Sequence, residues 1–226
     1  SGTGKSLVVS ISPQTNSVMD SNVGGFFGPF SKFCGFDAVE IQGKADREII
    51  IVIDKTTETI RIEEAPAEAI DSHVLAEQLT EMYANDDKDK KNVAVVSAGT
   101  AADHSLIGML NFSFYDPKRK VVRLKQAGRG GIGTVFRDKK IKAIVAKIDG
   151  VKGNLNNVVD LKPIMEKGKK FNAEMREFDD DQAEMRTKGT AHLNNVMKDY
   201  DLFPTNNFRF GSHPDAEKVH SEVYKK

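Results

Sequence analysis

Runs of β-branched and aliphatic residues dominate the first two thirds of the chain and predict strands. Some runs alternate between apolar and polar positions and others are continuously apolar, as strands with one or two buried faces require. Pro13 ends the first run, because proline cannot donate a hydrogen bond to a strand ladder. The predicted strands are Leu7–Ser12, Ala38–Gln42, Glu48–Ile53, Thr59–Glu63, Val93–Ser97 and Lys142–Lys147.

Apolar residues at helical spacing predict helices between and after these strands. Ser72 can cap a helix whose buried face carries Leu75, Leu79 and Met82. In the last third of the chain β-branched runs give way to helical spacing, and another helix is predicted at Thr190–Tyr200.

Together the elements predict an α+β fold with two domains. Residues 1–150 form a β-rich domain, and residues 151–226 begin a helical domain. The chain enters its first predicted strand almost at once, without an initial methionine. We therefore expect the β-rich domain to be incomplete at its N-terminus and the chain to be a fragment of a longer protein.

Composition narrows the class of protein. Of the 226 residues, 39% are hydrophobic and 29% are charged, which is a soluble globular balance. The 33 basic and 33 acidic residues cancel, so no nucleic-acid partner is indicated. No apolar run reaches the length of a spanning helix, so we expect no membrane insertion and a cytoplasmic location. Cys34, the single cysteine, excludes a disulfide framework and is predicted to be a buried apolar residue.

Two glycine-rich stretches carry the candidate chemistry. One runs from Gln126 to Gly133 and has an arginine among its four glycines; the other runs from Asp20 to Gly28. Glycine in such numbers loses much conformational entropy on folding, unless the bare backbone itself is needed. Each stretch can present amide N–H groups to an anion, and a short helix is expected within Phe26–Phe36, behind the second. We expect the two stretches to come together on one phosphate-bearing cofactor.

Two other interpretations of the glycines stay open. The stretches can be tight turns that need positive φ angles and bind nothing. Residues 2–6 (Gly-Thr-Gly-Lys-Ser) also resemble the end of a P-loop, which would make the protein a nucleoside triphosphatase. A P-loop lysine is followed by a helix, whereas the residues after Lys5 predict a strand. The P-loop is therefore the weaker alternative.

Three groups of motifs resemble the aldehyde:ferredoxin oxidoreductase family of tungsten enzymes. The resemblance follows the order of the chain and covers nearly all of it. The motifs are Ser12-Pro13 with Ser21–Gly28 and Phe33–Lys44, then Ala127–Gly133 with Lys142–Val145, and finally Gly189-Thr190 with Leu202–Phe208.

The resemblance implies that residues 1–150 form two sheets that make the base on which a tungsten bis-pterin cofactor (tungstopterin) lies. In this family Mg²⁺ bridges the two pterin phosphates, and the matching residues here are Asn22 and Gln126, through their backbone carbonyls. Arg129 matches the arginine inside the glycine turn, and Lys5 and Lys125 match arginines close to the cofactor. The cofactor-binding residues that the resemblance implies are Lys5, Asn22, Gly24, Gly25, Lys125, Gln126, Ala127, Gly128, Arg129 and Gly130.

The resemblance also implies what this chain lacks. The cysteines that hold the family's [4Fe-4S] cluster follow the segment matched by Leu202–Phe208, so the helical domain is expected to stop before the iron–sulfur motif. The catalytic acid–base residues belong to later domains, and none is assigned here. The implied partners are the remaining C-terminal domains and an iron–sulfur electron-transfer subunit or ferredoxin. The fragment alone is expected to be inactive.

Within the family, Leu110–Asp116 and Arg123–Gln126 look closest to the active-site subunit of class II benzoyl-coenzyme A reductase. This implies a full-length enzyme that reduces the aromatic ring of benzoyl-CoA to a cyclic dienoyl-CoA. The first alternative is oxidation of aldehydes to carboxylic acids with ferredoxin as acceptor. An alternative of another class is a non-catalytic phosphate-binding module.

Overall fold

The computed structural model describes residues 4–66, 71–150, 158–177 and 179–224. The chain divides into two compact units, Ser1–Asn157 and Val158–Lys226. The first unit contains two β-sheets with helices, and the second contains helices and turns. The predicted α+β class with two sheets is therefore confirmed.

The smaller sheet is an antiparallel hairpin of β1 (Ser6–Ile11) and β2 (Val18–Val23). Side chains alternate between its faces, as the period of a strand requires. Val23 on the inner face belongs to the hydrophobic core, whereas Leu7, Val9 and Ile11 on the outer face are exposed. The hairpin therefore packs its inner face against the core, and its outer face is exposed.

The larger sheet has six strands in the order β4-β3-β8-β5-β6-β7. Only the β3–β8 pair is parallel; the other neighbours are antiparallel. All seven residues of β8 are buried, so the last strand in sequence occupies the middle of the sheet. The strands are β3 (Ile49–Asp54), β4 (Thr59–Glu64), β5 (Val93–Ser97), β6 (Leu110–Asp116), β7 (Val121–Ala127) and β8 (Ile141–Lys147).

Helices cover both faces of this sheet. Helix α2 (Ser72–Tyr83) buries Leu75 and Leu79 against one face. Helices α1 (Phe27–Phe33) and α3 (Ile132–Asp138) pack with the hairpin on the other face, around Phe112. Short 3₁₀-helices at Lys90–Asn92 and Thr100–His104 flank β5. We call these two faces the α2 face and the hairpin face. Along each strand, the side chains of successive residues point alternately to one face and to the other.

The second unit is helical. It contains α4 (Leu161–Glu174), α5 (Asp180–Lys188) and α6 (Asn194–Asp199), with 3₁₀-helices at Gly189–Leu193, Ala216–Val219 and Ser221–Tyr224. The carboxylates of Asp160 and Asp179 accept hydrogen bonds from the first turns of α4 and α5, as N-caps do. Among the described residues, no helix is both long and apolar enough to cross a membrane.

Several local predictions are wrong. Ala38–Gln42 is not a strand: these residues have no ladder partner among the described residues, and of them only Ile41 packs against the core. The cap of α2 is Asp71, whose carboxylate accepts from the amides of His73 and Val74, so Ser72 is the first residue of the helix.

Two predicted segments of the second unit also differ. The helix predicted at Thr190–Tyr200 starts as a 3₁₀-helix and becomes α-helical only at Asn194. The extended segment Leu202–Phe208 turns at Asn206, because three successive residues from there have positive φ angles. Residues 1–3, which include part of the P-loop-like stretch, lie outside the described residues, but the strand expected after Lys5 is present as β1.

Candidate functional site

The two glycine-rich stretches meet in the structure. The amide of Arg129 donates a hydrogen bond to the hydroxyl of Ser21, over 3.3 Å. A methyl group built on Gly130 would lie only 2.7 Å from Cβ of Met19, so the turn after β7 packs directly against β2. Ser21 and Met19 are alternate residues of β2 on its inner face. The expected convergence of the two stretches is therefore present.

Glycine is needed where this turn enters α3. Gly130 and Gly131 have φ angles of 71° and 64°, in the left-handed region that other residues avoid. A methyl group on Gly131 would also lie 2.1 Å from the carbonyl oxygen of Leu106, which is closer than any real contact. The turn conformation and the close packing below it both exclude a side chain.

Lys5 and Lys125 lie beside the other glycine stretch. Ser6 pairs with Val23, which places Lys5 at the end of the hairpin where Gly24 follows β2. A methyl group on Gly24 would be 3.7 Å from Cγ of Lys125. On Gly28, a methyl group would be 3.5 Å from the carbonyl of Lys5. Lys125 of β7 and Lys5, which immediately precedes β1, therefore both lie against the glycine-containing segment of residues 24–28.

Where the two glycine-rich stretches meet, three cationic side chains have no ion-pair partner and four backbone amides have no hydrogen-bond acceptor among the described residues. Lys5, Lys125 and Arg129 are exposed and form no ion pair with any described residue. Four glycine amides there also donate to no described residue; they belong to Gly24, Gly25, Gly128 and Gly130. A methyl group on Gly128 would meet nothing within 4 Å, so the backbone is open to a ligand at this point. We call the group formed by these three cationic residues and four glycines the glycine cradle.

The basic residues at the far end of the β6–β7 hairpin differ from those of the cradle. Arg119 and Arg123 both pair with Asp116, at 2.9 Å and 3.6 Å. The hydrogen bond from Arg119, and the amides that follow Asp116, hold the pKa of the Asp116 carboxyl below its usual value. Arg123 also lies over the ring of Phe114, 5.6 Å from its centre. These cations are satisfied within the hairpin, which favours a structural role.

Asn22 and Gln126 stand on the two strands that meet here. Both β2 and β7 are edge strands, and alternate carbonyls of an edge strand point away from its partner. Within the described part of the chain, no group of three or more His, Cys, Asp and Glu side chains is placed to hold a metal ion. Ala127 is fully buried beside the cradle and contributes to the core.

Two buried polar residues at the cradle were missed by the sequence analysis. Ser21 is 3% exposed and accepts the Arg129 amide, and Asn111 is 9% exposed and accepts from the side chain of Gln126. Each occupies a position that faces inward from its strand. A polar residue at an inward position was the available signal, since buried polar groups need partners.

A separate cleft of about 540 Å³ lies at the C-terminal end of α3, and none of the predicted site residues lines it. Arg137 in this cleft is bound by Asp103 at 2.8 Å and by Glu48 at 2.5 Å, and Lys142 also binds Glu48. Burial of Glu48 opposes its ionisation, but the hydrogen bonds from Lys142 and Arg137 outweigh burial and lower its pKa. The cluster ties the loop before β3 to α3 and β8.

Cys34 lies half-buried at the end of α1. Its thiol donates to the carbonyl of Lys147 over 3.5 Å, and the side chain packs against the core. Burial raises the pKa of the Cys34 thiol to about 11. Cys34 therefore packs against the core as the predicted small apolar residue, but it is half-buried and not fully buried as expected.

Comparison with known proteins identifies the fold and the family. Residues 1–148 match the family described as aldehyde ferredoxin oxidoreductase, N-terminal domain. The tungsten-containing aldehyde ferredoxin oxidoreductase of Pyrococcus horikoshii is 30% identical over 211 residues, and that of Pyrococcus furiosus is 30% identical over 231 residues. These alignments cover 92% and 97% of this chain. The chain spans about a third of the length of these relatives, 31% and 33%.

The fold is also similar to that of a solved structure of benzoyl-coenzyme A reductase. It is the active-site complex BamBC of benzoyl-coenzyme A reductase with 1,5-dienoyl-CoA, with a TM-score of 0.51 and 24% sequence identity. The match covers 64% of this chain and 20% of that chain. The family match extends over most of the first unit, including both glycine stretches and the cradle between them. The chain therefore belongs to the aldehyde ferredoxin oxidoreductase family and contains its N-terminal domain.

Proposed function

We propose that the glycine cradle holds the phosphate groups of a tungsten bis-pterin cofactor, in a full-length protein that is an oxidoreductase. The observation that carries this proposal is the group of three cations, Lys5, Lys125 and Arg129, which have no acidic partner among the described residues. In the same two glycine-rich stretches, the amides of Gly24, Gly25, Gly128 and Gly130 donate to no described residue. Charge-assisted bonds and backbone amides are the contacts that phosphates prefer. The residues present therefore fit the phosphate-bearing part of this cofactor.

The remaining roles follow from the chemistry of the parts. Mg²⁺ prefers oxygen ligands, and the carbonyls of Asn22 and Gln126 would supply two of them, with the phosphates providing the negative charge. Lys5, Lys125 and Arg129 would neutralise and orient the phosphates, while Gly128 leaves room for a close approach to the backbone. When bound, the cofactor supplies the redox-active tungsten and its sulfur ligands. We assign no catalytic acid or base to this chain.

For the reaction we propose reduction of the aromatic ring of benzoyl-CoA by two electrons to a cyclic dienoyl-CoA. The segments Leu110–Asp116 and Arg123–Gln126 support this choice through their resemblance to the benzoyl-CoA reductase subunit. Electrons would come from an iron–sulfur subunit or ferredoxin, through a [4Fe-4S] cluster bound by later domains. The second candidate is oxidation of an aldehyde to a carboxylic acid, which the names of the relatives favour.

The experiment on function uses the full-length protein, purified without oxygen. Tungsten, magnesium and pterin are measured first, and both reactions are then assayed, the ring reduction with a low-potential electron donor. We expect tungsten, magnesium and pterin in stoichiometric amounts, and reduction of the aromatic ring of benzoyl-CoA. Aldehyde oxidation without ring reduction would establish the second candidate. A protein without tungsten or pterin would leave a phosphate-binding module as the better description.

The cradle itself is tested with charge-removing variants of the same protein. Lys5→Gln, Lys125→Gln and Arg129→Gln should each lower the retained tungsten and magnesium, because each removes a cation from the phosphates. Lys118→Gln is the matched control, since Lys118 lies at the exposed turn of the β6–β7 hairpin. Equal metal content in all four variants would contradict the assignment of the cradle.

A further inference from the structure

A chain of hydrogen bonds crosses the α2 face beneath the end of β7. The side-chain amide of Gln126 donates to the carbonyl oxygen of Asn111 over 3.3 Å, and the Asn111 amide donates to the hydroxyl of Ser72 over 2.9 Å. Asn111 and Ser72 are both only 9% exposed. The contact between Asn111 and Ser72 is buried, where a lost partner cannot be replaced by water, whereas the contact between Gln126 and Asn111 is only partly buried.

The register explains why these residues meet. Asn111 on β6 is paired with Gln126 on β7, so their side chains share one face of the sheet. Ser72 opens helix α2, which covers that face. The next residue back along β7, Lys125, has its side chain on the opposite face, beside Gly24 of the cradle. The side chain of Gln126 is therefore bound by Asn111 on the α2 face, at the point where β7 leads into the cradle.

We propose that Asn111 and the side chain of Gln126 are positioning residues that hold the backbone of β7 in the orientation needed for cofactor binding. This inference rests on the proposed function, because the backbone carbonyl of Gln126 is there an Mg²⁺ ligand. Strand β7 is an edge strand with one unpaired side, and such strands open easily. The contact from Gln126 through Asn111 to Ser72 anchors the open end of this edge to α2.

The test compares four variants of the full-length holoenzyme with the wild type. Gln126→Ala keeps the backbone carbonyl and removes the anchor; Asn111→Leu keeps the volume and removes both hydrogen bonds; the third variant combines the two changes. Ser97→Ala is the control, because Ser97 lies opposite Asn111 on β5 and its buried hydroxyl has no hydrogen-bond partner among the described residues. The readouts are the rate of Mg²⁺ loss to EDTA, the retained tungsten, and the thermal unfolding midpoint.

We expect Gln126→Ala and Asn111→Leu each to accelerate Mg²⁺ loss roughly fivefold, because both break the hydrogen bond between Gln126 and Asn111 that holds β7. The double variant should be no faster, because both residues act through the same contact. Hydrogen exchange at residues 124–130 should increase in the same three variants. Ser97→Ala should match the wild type in all readouts.

Two results would overturn the positioning role. The first is wild-type Mg²⁺ retention in both single variants, even if their unfolding midpoints fall, since that shows a structural role only. The second is an additive effect in the double variant. If Asn111→Leu fails to fold, the rate of Mg²⁺ loss from Gln126→Ala alone still tests the positioning role. The Gln126 side chain is exposed, so its removal should leave the fold intact. A wild-type protein that contains no tungsten or Mg²⁺ would instead refute the proposed function, and the inference with it.

Discussion

The backbone amide of Arg129 donates to the hydroxyl of Ser21, although the two residues are 108 positions apart in the chain. This contact joins the turn after β7 to the strand that leads into the other glycine-rich stretch. The cradle is therefore built from distant parts of the chain, and its geometry depends on the packing of the hairpin against the larger sheet.

Ser21→Ala should destabilise the fold by about 1 kcal/mol, because the Arg129 amide loses its hydrogen-bond acceptor. In the full-length protein the same change should lower the retained tungsten. Chemical denaturation and elemental analysis measure the two effects. Ser10→Ala in the same hairpin is the control, since the one hydrogen bond of the Ser10 hydroxyl within the described part of the chain is to the carbonyl of its neighbour Ile11. Equal stability of the two variants would contradict a linking role for Ser21.

Two glycines of the same turn should respond differently to alanine. Gly131→Ala should cost about 2–4 kcal/mol, because it combines a positive φ angle with a collision against the Leu106 carbonyl. Gly128→Ala should change the free energy of unfolding by less than about 0.5 kcal/mol, because its methyl group meets open space. Urea denaturation of the two variants measures the difference. Similar stabilities would show that the turn relaxes to accept a side chain at residue 131.

Arg137→Lys should destabilise the first unit by about 1–3 kcal/mol. The guanidinium uses two nitrogens on Asp103 and also binds Glu48, and an ammonium group cannot reproduce this planar arrangement. Arg47→Lys is the matched control, because Arg47 lines the same cleft and forms no ion pair with a described residue. The free energy of unfolding in urea should separate the two variants, and an equal loss in both would argue against the ion cluster.

Stability should fall in acid partly because of Glu48. Its folded-state pKa is below the unfolded value of about 4.3, so its contribution is complete above that pH. The contribution is lost as the pH falls through the lower, folded-state pKa. Glu48→Gln should therefore be less stable than the wild type at pH 7, and the difference should narrow toward pH 3. A constant difference in urea denaturation across this range would refute the assignment.

Cys34 should react slowly with alkylating reagents in the folded protein. With a pKa of about 11, only about one thiol in a thousand is ionised at pH 8, and the thiolate is the reactive form. Mass spectrometry after iodoacetamide treatment, with and without urea, measures this. Labelling that is equally fast in both conditions would show that the thiol is accessible and ionised.

Local patterns predicted the strands well where the residues are continuously apolar. The run Val93–Ser97 became β5 with all its residues buried, as expected of a strand covered on both faces. Ala38–Gln42 alternates β-branched Val39 and Ile41 with Glu40 and Gln42, a pattern that also predicts a strand, yet it has no ladder partner among the described residues. Strand propensity records how well a side chain suits a sheet surface, and it does not state whether a neighbouring strand exists.

The cradle was predicted in part. Glycine content indicated the two turns, and the family resemblance assigned roles to Asn22, Gln126 and the cations. The supporting contacts of Ser21 and Asn111 were not foreseen, because they depend on which strands are neighbours and on the register between them. Pairing across more than a hundred residues leaves no trace in a local pattern of apolar and polar positions.

The central position of β8 has a consequence for synthesis of the protein on the ribosome. Strands β3 and β4 emerge early, and β5, β6 and β7 follow, but neither group is joined to the other until Ile141–Lys147 inserts between them. Both groups present unpaired, apolar edges during that interval, when association with other nascent chains is easiest. Translation speed and chaperone supply around this last strand should therefore govern the yield of soluble recombinant protein.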